Sequence, residues 1–282
     1  MKPRRDLGED VVQEPSSVRE GIKEYWEQRA KENADSPQAT TDDVYLRKLE
    51  ISTLVDTIKK LSLPENSSVL DVGCGDGYTT LHVAQELSSL SFLGVDYSEN
   101  MISSARQRLA AESEMTARVS FKVGDATKLD ESCGPDTFDI VTTDRCLINL
   151  PSLDAQQQAI AQIAQRTKPG GYYIAIENFI EGQNSMNLMR RAVGLPDIPV
   201  RWHNLFFNEA DFVAAAEPFF TEINFKNFSS SYYFATRVIY SAMCQMRGEK
   251  PDYQHEIHQL AIKLPWTGQF SPIRMVTLRR RS

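Results

Sequence analysis

The stretch that most constrains this chain runs from Ser68 to Thr80, Ser-Val-Leu-Asp-Val-Gly-Cys-Gly-Asp-Gly-Tyr-Thr-Thr. Val69, Leu70 and Val72 form the short apolar run of a strand buried on both faces. Gly73, Gly75 and Gly77 then place three glycines within five positions, so a ligand can approach the backbone closely. Asp71 adds a carboxylate inside the end of the strand.

A dinucleotide-binding turn needs Gly-x-Gly-x-x-Gly, whose third glycine lets the helix pack closely on the strand. Tyr78 fills that position here, and the spacing is Gly-x-Gly-x-Gly. Asp71 would also repel a pyrophosphate, whereas it suits the ammonium of an amino acid. The loop resembles the first motif of the class I S-adenosylmethionine-dependent methyltransferases, which reads much like Val69 to Gly77. The resemblance implies that Asp71 and the turn of Gly73, Cys74, Gly75 and Gly77 hold S-adenosylmethionine.

The chain beyond the loop keeps the same order. A helix is expected over Thr79 to Ser88, then a buried strand, Phe92 to Val95, that ends in Asp96. That carboxylate stands nineteen positions after Gly77, close to the spacing at which an acidic residue takes the ribose hydroxyls. Ser98 is a good N-cap for the next helix, and the family pattern sets an apolar residue such as Tyr97 or Met101 against the adenine. A third strand, Val119 to Val123, leads into Gly124-Asp125-Ala126, where the family has an aspartate that accepts from the adenine amino group. A fourth, Phe138 to Val141, opens into Thr142 to Pro151, the loop that faces the methyl donor in such folds, with Asp144 at its start. A helix over Leu153 to Arg166 and the turn Lys168-Pro169-Gly170-Gly171 lead to a fifth strand, Tyr172 to Ile176. This alternation implies a doubly wound α/β sheet. Ligands in such sheets lie at the carboxyl ends of the strands, where Gly73, Asp96, Asp125, Asp144 and Glu177 all fall. The resemblance makes the sheet Rossmann-like and seven-stranded, its last strand, Ser271 to Arg279, antiparallel to the one before.

Outside that core, the charge and prolines of residues 1–15 predict disorder. Residues 16–62 are expected to form an N-terminal helical lid. Its first helix starts near Ser17 and Glu20 and carries Ile22, Tyr25, Trp26 and Ala30 on one face. Its second runs from about Asp42 to Leu61, after a turn-rich break at 35–41. The resemblance implies that Tyr25 and Trp26 close over the cofactor; packing on the core explains the same rings. Arg47 and Glu50 are assigned to the surface, with reach to a cofactor carboxylate as the other option. Within the core, 63–282, insertions at 180–207 and 228–270 are expected to form a helical cap over the acceptor. The second should hold helices over 232–246 and 255–263.

A net charge of −7 argues against a broad nucleic-acid footprint, and 41% hydrophobic with 24% charged residues is ordinary for a globular protein. The four cysteines show no metal or disulfide spacing, and no stretch is long and apolar enough to cross a membrane. A cytoplasmic protein without integral membrane contact is expected, with oligomerisation left open. Methyl transfer from a sulfonium is an in-line displacement, and a hydroxyl acceptor needs a base while an amine does not. His203, beside Trp202 and Asn204 and flanked by Arg201, is the candidate base because histidine changes charge near neutral pH. Asp144 and Glu177 are the other catalytic candidates. Catechol-type methyltransferases hold magnesium with an acidic residue after the fourth strand and an Asp-Asn pair after the fifth. Asp144 and Glu177-Asn178 are similar, with Glu in place of Asp; no metal is assigned. The expected function is transfer of a methyl group from S-adenosylmethionine to a hydroxyl of a small polar or sugar-containing acceptor. N-methylation of an amine, protein or RNA, or a non-catalytic cofactor-binding subunit, are the alternatives.

Overall fold

The computed structural model describes residues 15–32 and 41–282. The disorder expected at residues 1–14 and the break at 35–40 lie outside these residues.

Two helices, α1 (Pro15–Glu32) and α2 (Val44–Lys60), precede the sheet. Strand and helix then alternate: β1 (Ser68–Val72), α3 (Tyr78–Glu86), β2 (Ser91–Asp96), α4 (Glu99–Ala111), β3 (Val119–Val123), α5 (Leu129–Cys133), β4 (Phe138–Asp144), α6 (Leu153–Arg166) and β5 (Thr167–Asn178). Next come α7 (Ile180–Ala192), α8 (Glu209–Ala216) and β6 (Phe220–Lys226). Helix α9 (Ser230–Tyr233), a π-helix (Phe234–Tyr240), α10 (Ser241–Arg247) and α11 (Glu256–Ala261) lead to β7 (Ile273–Arg280).

The seven strands lie in the order β3-β2-β1-β4-β5-β7-β6. Strands β1 to β5 pair in parallel, and β7 runs antiparallel to both β5 and β6. The order reverses between β1 and β4, which opens a crevice at their carboxyl ends. The fold is thus the expected doubly wound, Rossmann-like sheet.

Alternation along the strands sorts the core into two layers. Val69, Ile140, Ile174 and Ile176 pack with Leu54, Val55 and Ile58 of α2 on one face. Leu70, Val72, Val141, Tyr173 and Ala175 pack with Ile160 and Ile163 of α6 on the other. Helix α2 therefore belongs to the core, and only α1 is placed as a lid would be. Arg47 and Glu50 are buried, at 4% and 0% exposure, because each finds a charge from a distant loop: Asp76 at 3.1 Å for Arg47, and Arg145 at 3.2 Å for Glu50. Their assignment to the surface is corrected accordingly.

Strand β5 starts before the expected Tyr172. Phe138 pairs with Thr167 and Ile140 with Tyr172, so Lys168-Pro169-Gly170-Gly171 bulges out of a strand rather than preceding it. The long helix expected over 232–246 is instead three segments with a π-helical centre.

Candidate functional site

The turn after β1 is built by its glycines. Gly73, Gly75 and Gly77 have φ of +76°, +54° and +72°, a region that costs a side-chain-bearing residue about 1–2 kcal/mol. The Gly73 and Cys74 N–H groups both donate to the Val95 carbonyl, at 2.7 and 3.1 Å, which fastens the turn over β2. Gly75 N–H donates to one oxygen of Asp96 at 3.0 Å and Ser98 N–H to the other at 2.9 Å. Burial pushes the Asp96 carboxyl up to about 6 despite these bonds. Asp71 accepts from the hydroxyls of Thr80 and Thr142, at 2.5 and 3.0 Å, and burial pushes it to about 6 as well.

A cavity of about 320 Å³ opens from this turn. Asp71, Gly73, Cys74, Gly75, Asp96, Tyr97 and Met101 line it, together with Trp26, Asp144 and His203. Asp144, at the end of β4, is partly buried, and its Oδ1 lies 3.6 Å from Arg145 Nε and makes no hydrogen bond. Burial holds its carboxyl above the ordinary range.

Five predicted residues stand outside the cavity lining. Gly77 is the N-cap of α3, and a Cβ there would lie 2.8 Å from Ala105 and Phe121, so its role is close packing. Asp125 is ion-paired with Arg19 of α1 and accepts from Thr127 N–H at 2.8 Å; Ala126 packs partly buried against the second apolar layer. Tyr25 stacks on His203 at 4.4 Å. Glu177 is fully buried and accepts from the N–H groups of Cys146, Leu147 and Ile148 at 3.2, 3.0 and 3.4 Å. It pins the loop after β4 and does not face an acceptor.

Alternation also separates Asp144 from Glu177, the acidic residues of the magnesium-type pattern to which no metal is assigned. Asp144 shares a face with Ile140, while Glu177 shares one with Tyr173 and Ala175. Among the described residues no group of three or more His, Cys, Asp or Glu side chains is placed to hold a metal.

Helix α1 lies over the strand ends. Trp26 Nε1 donates to Asn149 Oδ1 at 3.2 Å, Asn100 donates to Glu27, and Arg19 pairs with Asp125. His203 is 4% exposed, and burial with the charges of Arg201 and Arg29 pushes it down to about 4. The expectation that it changes charge near neutral pH is corrected: its imidazole stays neutral. Its Nδ1 is buried and makes no hydrogen bond.

Residues of the loop after β4 and of the second insertion complete the cavity. Arg145, Asn149, Tyr233, Arg237 and Tyr253 all line it. Arg145 has a φ of +52°, which turns its backbone out of β4. The sequence carries no local signal for Arg237, which sits in the π-helix.

Two glutamates beside this site make a pH prediction. Burial pushes Glu50 to about 8 and Glu177 to about 7, both above the ordinary value, so the folded state holds protons that the unfolded chain releases. Their stabilising contribution is complete below the unfolded pKa and is lost as pH rises through the folded values. The two histidines with lowered values oppose this only while the unfolded chain still protonates them, up to about pH 7. Unfolding of the free protein by urea is expected to show stability falling from about pH 7 to about pH 8. Glu50→Gln should flatten that slope, and a stability that rises across this range would overturn the assignment.

The fold is that of the class I S-adenosylmethionine-dependent methyltransferases, with the glycine turn and Asp96 at one site. Residues 63–193 match the family described as "Methyltransferase domain". The demethylmenaquinone methyltransferase of Halalkalibacterium halodurans is 32% identical over 123 residues, which cover 43% of this chain and 47% of that protein. The ubiquinone/menaquinone biosynthesis C-methyltransferase of Geotalea daltonii is 29% identical over 121 residues, covering 43% of this chain and 49% of that protein. The chain thus spans about half the length of these curated relatives. Among solved structures, magnesium protoporphyrin IX methyltransferase from Synechocystis PCC 6803 with bound S-adenosylhomocysteine superposes with a TM-score of 0.59 at 16% identity, covering 95% of this chain and 100% of that one.

Proposed function

We propose that this chain transfers the methyl group of S-adenosylmethionine to a hydroxyl of a small-molecule acceptor held between α1, α7 and the cap. The observation that carries this reading is one cavity that joins the glycine turn, Asp96 and Asp144 to His203, whose buried Nδ1 makes no hydrogen bond. The residues fit the cofactor. The Asp144 carboxylate, which pairs with Arg145 at 3.6 Å and leaves Oδ1 without a hydrogen bond, suits an ammonium, and Asp96, fixed by two N–H donors, presents its remaining lone pairs to a ribose diol. The bound sulfonium supplies the electrophilic methyl group. Met101 and Tyr97 offer walls for the adenine.

The chain's own residues then orient the acceptor, exclude water and take a proton. His203 is proposed as the proton acceptor, since its neutral imidazole is available throughout the physiological range. A base this weak matches a hydroxyl of phenolic acidity better than a sugar alcohol. The relatives' names favour a second outcome on the same acceptor class: a phenolate can be methylated at ring carbon as well as at oxygen, and one relative is a C-methyltransferase acting in quinone biosynthesis.

Methyl-labelled S-adenosylmethionine with a screen of phenols, quinols, amines and sugars tests this. Label is expected in a phenol or quinol. Label confined to amines or sugars would overturn the acceptor class. With the acceptor found, His203→Ala is expected to lower kcat by roughly 10²-fold with cofactor affinity unchanged. Full turnover by that variant would remove the base assignment.

A further inference from the structure

The cavity has a second end, away from the glycine turn, where the two insertions meet α2. Tyr233 lines it, and its hydroxyl makes no hydrogen bond among the described residues. Asn178 lines it too, 7% exposed, with Oδ1 unpartnered. Strand alternation places Asn178 on the same face as Ile174 and Ile176, the face covered by α2 and α9. A buried amide oxygen without a partner costs roughly 1–3 kcal/mol, which a ligand's O–H or N–H would relieve.

Two guanidiniums flank the same spot. Arg237 is ion-paired with Asp43, donates to Thr236 Oγ1 at 3.1 Å and lies over the rings of Tyr253 and Tyr233, at 4.8 and 5.3 Å. Asp43 is itself held, accepting from Tyr232 at 2.6 Å and from Leu46 N–H at 3.0 Å as the N-cap of α2. Arg237 is therefore a rigid cation with further N–H donors beyond those two bonds. It sits in a π-helix, a distortion that recurs at functional sites. Arg145 lines the same cavity, and the charges of both arginines act on the Tyr233 hydroxyl, as do those of Asp43 and Glu50. Glu50 accepts from the Arg145 guanidinium at 3.2 Å, and burial raises its carboxyl. Asp144, the other carboxylate near Arg145, is assigned above to the cofactor's ammonium. Ile148, Met186, Ile198 and Phe206 add apolar wall to the same cavity.

We propose that this end of the cavity recognises the acceptor's head: an anionic group taken by Arg237 and Arg145 beside Tyr233, next to an O–H or N–H donor taken by Asn178 Oδ1. The apolar body of the acceptor then lies along Ile148, Met186 and Phe206. This deepens the methyltransferase reading and rests on it.

The full chain saturated with S-adenosylhomocysteine is titrated with the isomeric hydroxybenzoates and hydroxynaphthoates, each beside its methyl ester. At least one acid is expected to bind about tenfold tighter than its ester, roughly one ion-paired hydrogen bond. Arg237→Gln should erase that preference, and Tyr233→Phe, which keeps the ring and disturbs no internal hydrogen bond, should reduce it severalfold. S-adenosylhomocysteine affinity should stay within twofold in both variants. If every acid binds no better than its ester, or the preference survives both substitutions, the proposal falls. It also falls if Arg237→Gln acts only by weakening S-adenosylhomocysteine, because that cation would then serve the cofactor. Failure of the unsubstituted protein to bind S-adenosylhomocysteine at all would instead sink the methyltransferase reading.

Discussion

Asp96→Ala is expected to weaken S-adenosylmethionine binding by about 10²–10³-fold. The carboxylate at this position is proposed to accept from both ribose hydroxyls, and hydrogen bonds to a charged group are worth about 1.5–3 kcal/mol each. The substitution also strips partners from Gly75 N–H and Ser98 N–H, which hold the turn and the start of α4 in register. Asp96→Asn separates the two effects. It keeps the volume but turns an amide donor toward one of those N–H groups, so part of the loss should persist. A pH dependence follows from the same residue. Burial sets the Asp96 carboxyl at about 6 in the free protein, and only its ionised form accepts from both hydroxyls. Affinity should therefore be flat above about pH 7 and fall as pH drops below about 6, approaching tenfold per unit. Calorimetry at several pH values measures this, and binding that is unchanged in Asp96→Ala would remove the cofactor assignment.

The parts of the site that were legible in the sequence are those encoded locally and in order. A buried strand, a glycine turn and a helix start each depend on neighbours a few positions away, and Gly73, Asp96 and Asp144 then follow from the rule that ligands sit at strand ends. Leu153 and Arg166 bound α6 as expected because Ser152 caps it, accepting from Ala155 N–H at 3.2 Å. What escaped reading is held by partners far along the chain. Glu50 meets Arg145 across 95 positions, and Asp43 meets Arg237 across 194; no window of sequence relates them. His203 illustrates a different gap. Its residue type suggests titration near neutrality, but its burial between Tyr25 and Trp202 and the nearby arginines decide the charge state. Glu177 was assigned to chemistry because it ends a strand. The pleat turns it away from the cavity, so the same position anchors the loop from behind.

That anchor makes Gly73→Ala the most damaging of the single substitutions considered. Gly73 has φ +76°, and a Cβ on it would lie 2.3 Å from Cys146 Sγ and 2.5 Å from Cys146 Cβ. Cys146 has little room to retreat, because Glu177 grips the N–H groups of Cys146, Leu147 and Ile148 from a fully buried position. Gly73 in turn is tied to the Val95 carbonyl at 2.7 Å. The left-handed backbone costs about 1–2 kcal/mol and the overpacking about 1–3 kcal/mol, so a loss of roughly 2–5 kcal/mol is expected. For a chain of this length that lowers Tm by roughly 5–15 °C, and the shifted turn should abolish detectable cofactor binding. Gly248→Ala supplies the control. Gly248 is left-handed, with φ +69° and ψ +22°, and has nothing within 4 Å of a built Cβ, so it should show the backbone cost alone, about 1–2 kcal/mol, with binding intact. Adding Cys146→Gly to Gly73→Ala should recover much of the steric part. Equal Tm shifts for Gly73→Ala and Gly248→Ala would mean that the β4 loop yields, and that Glu177 does not hold it.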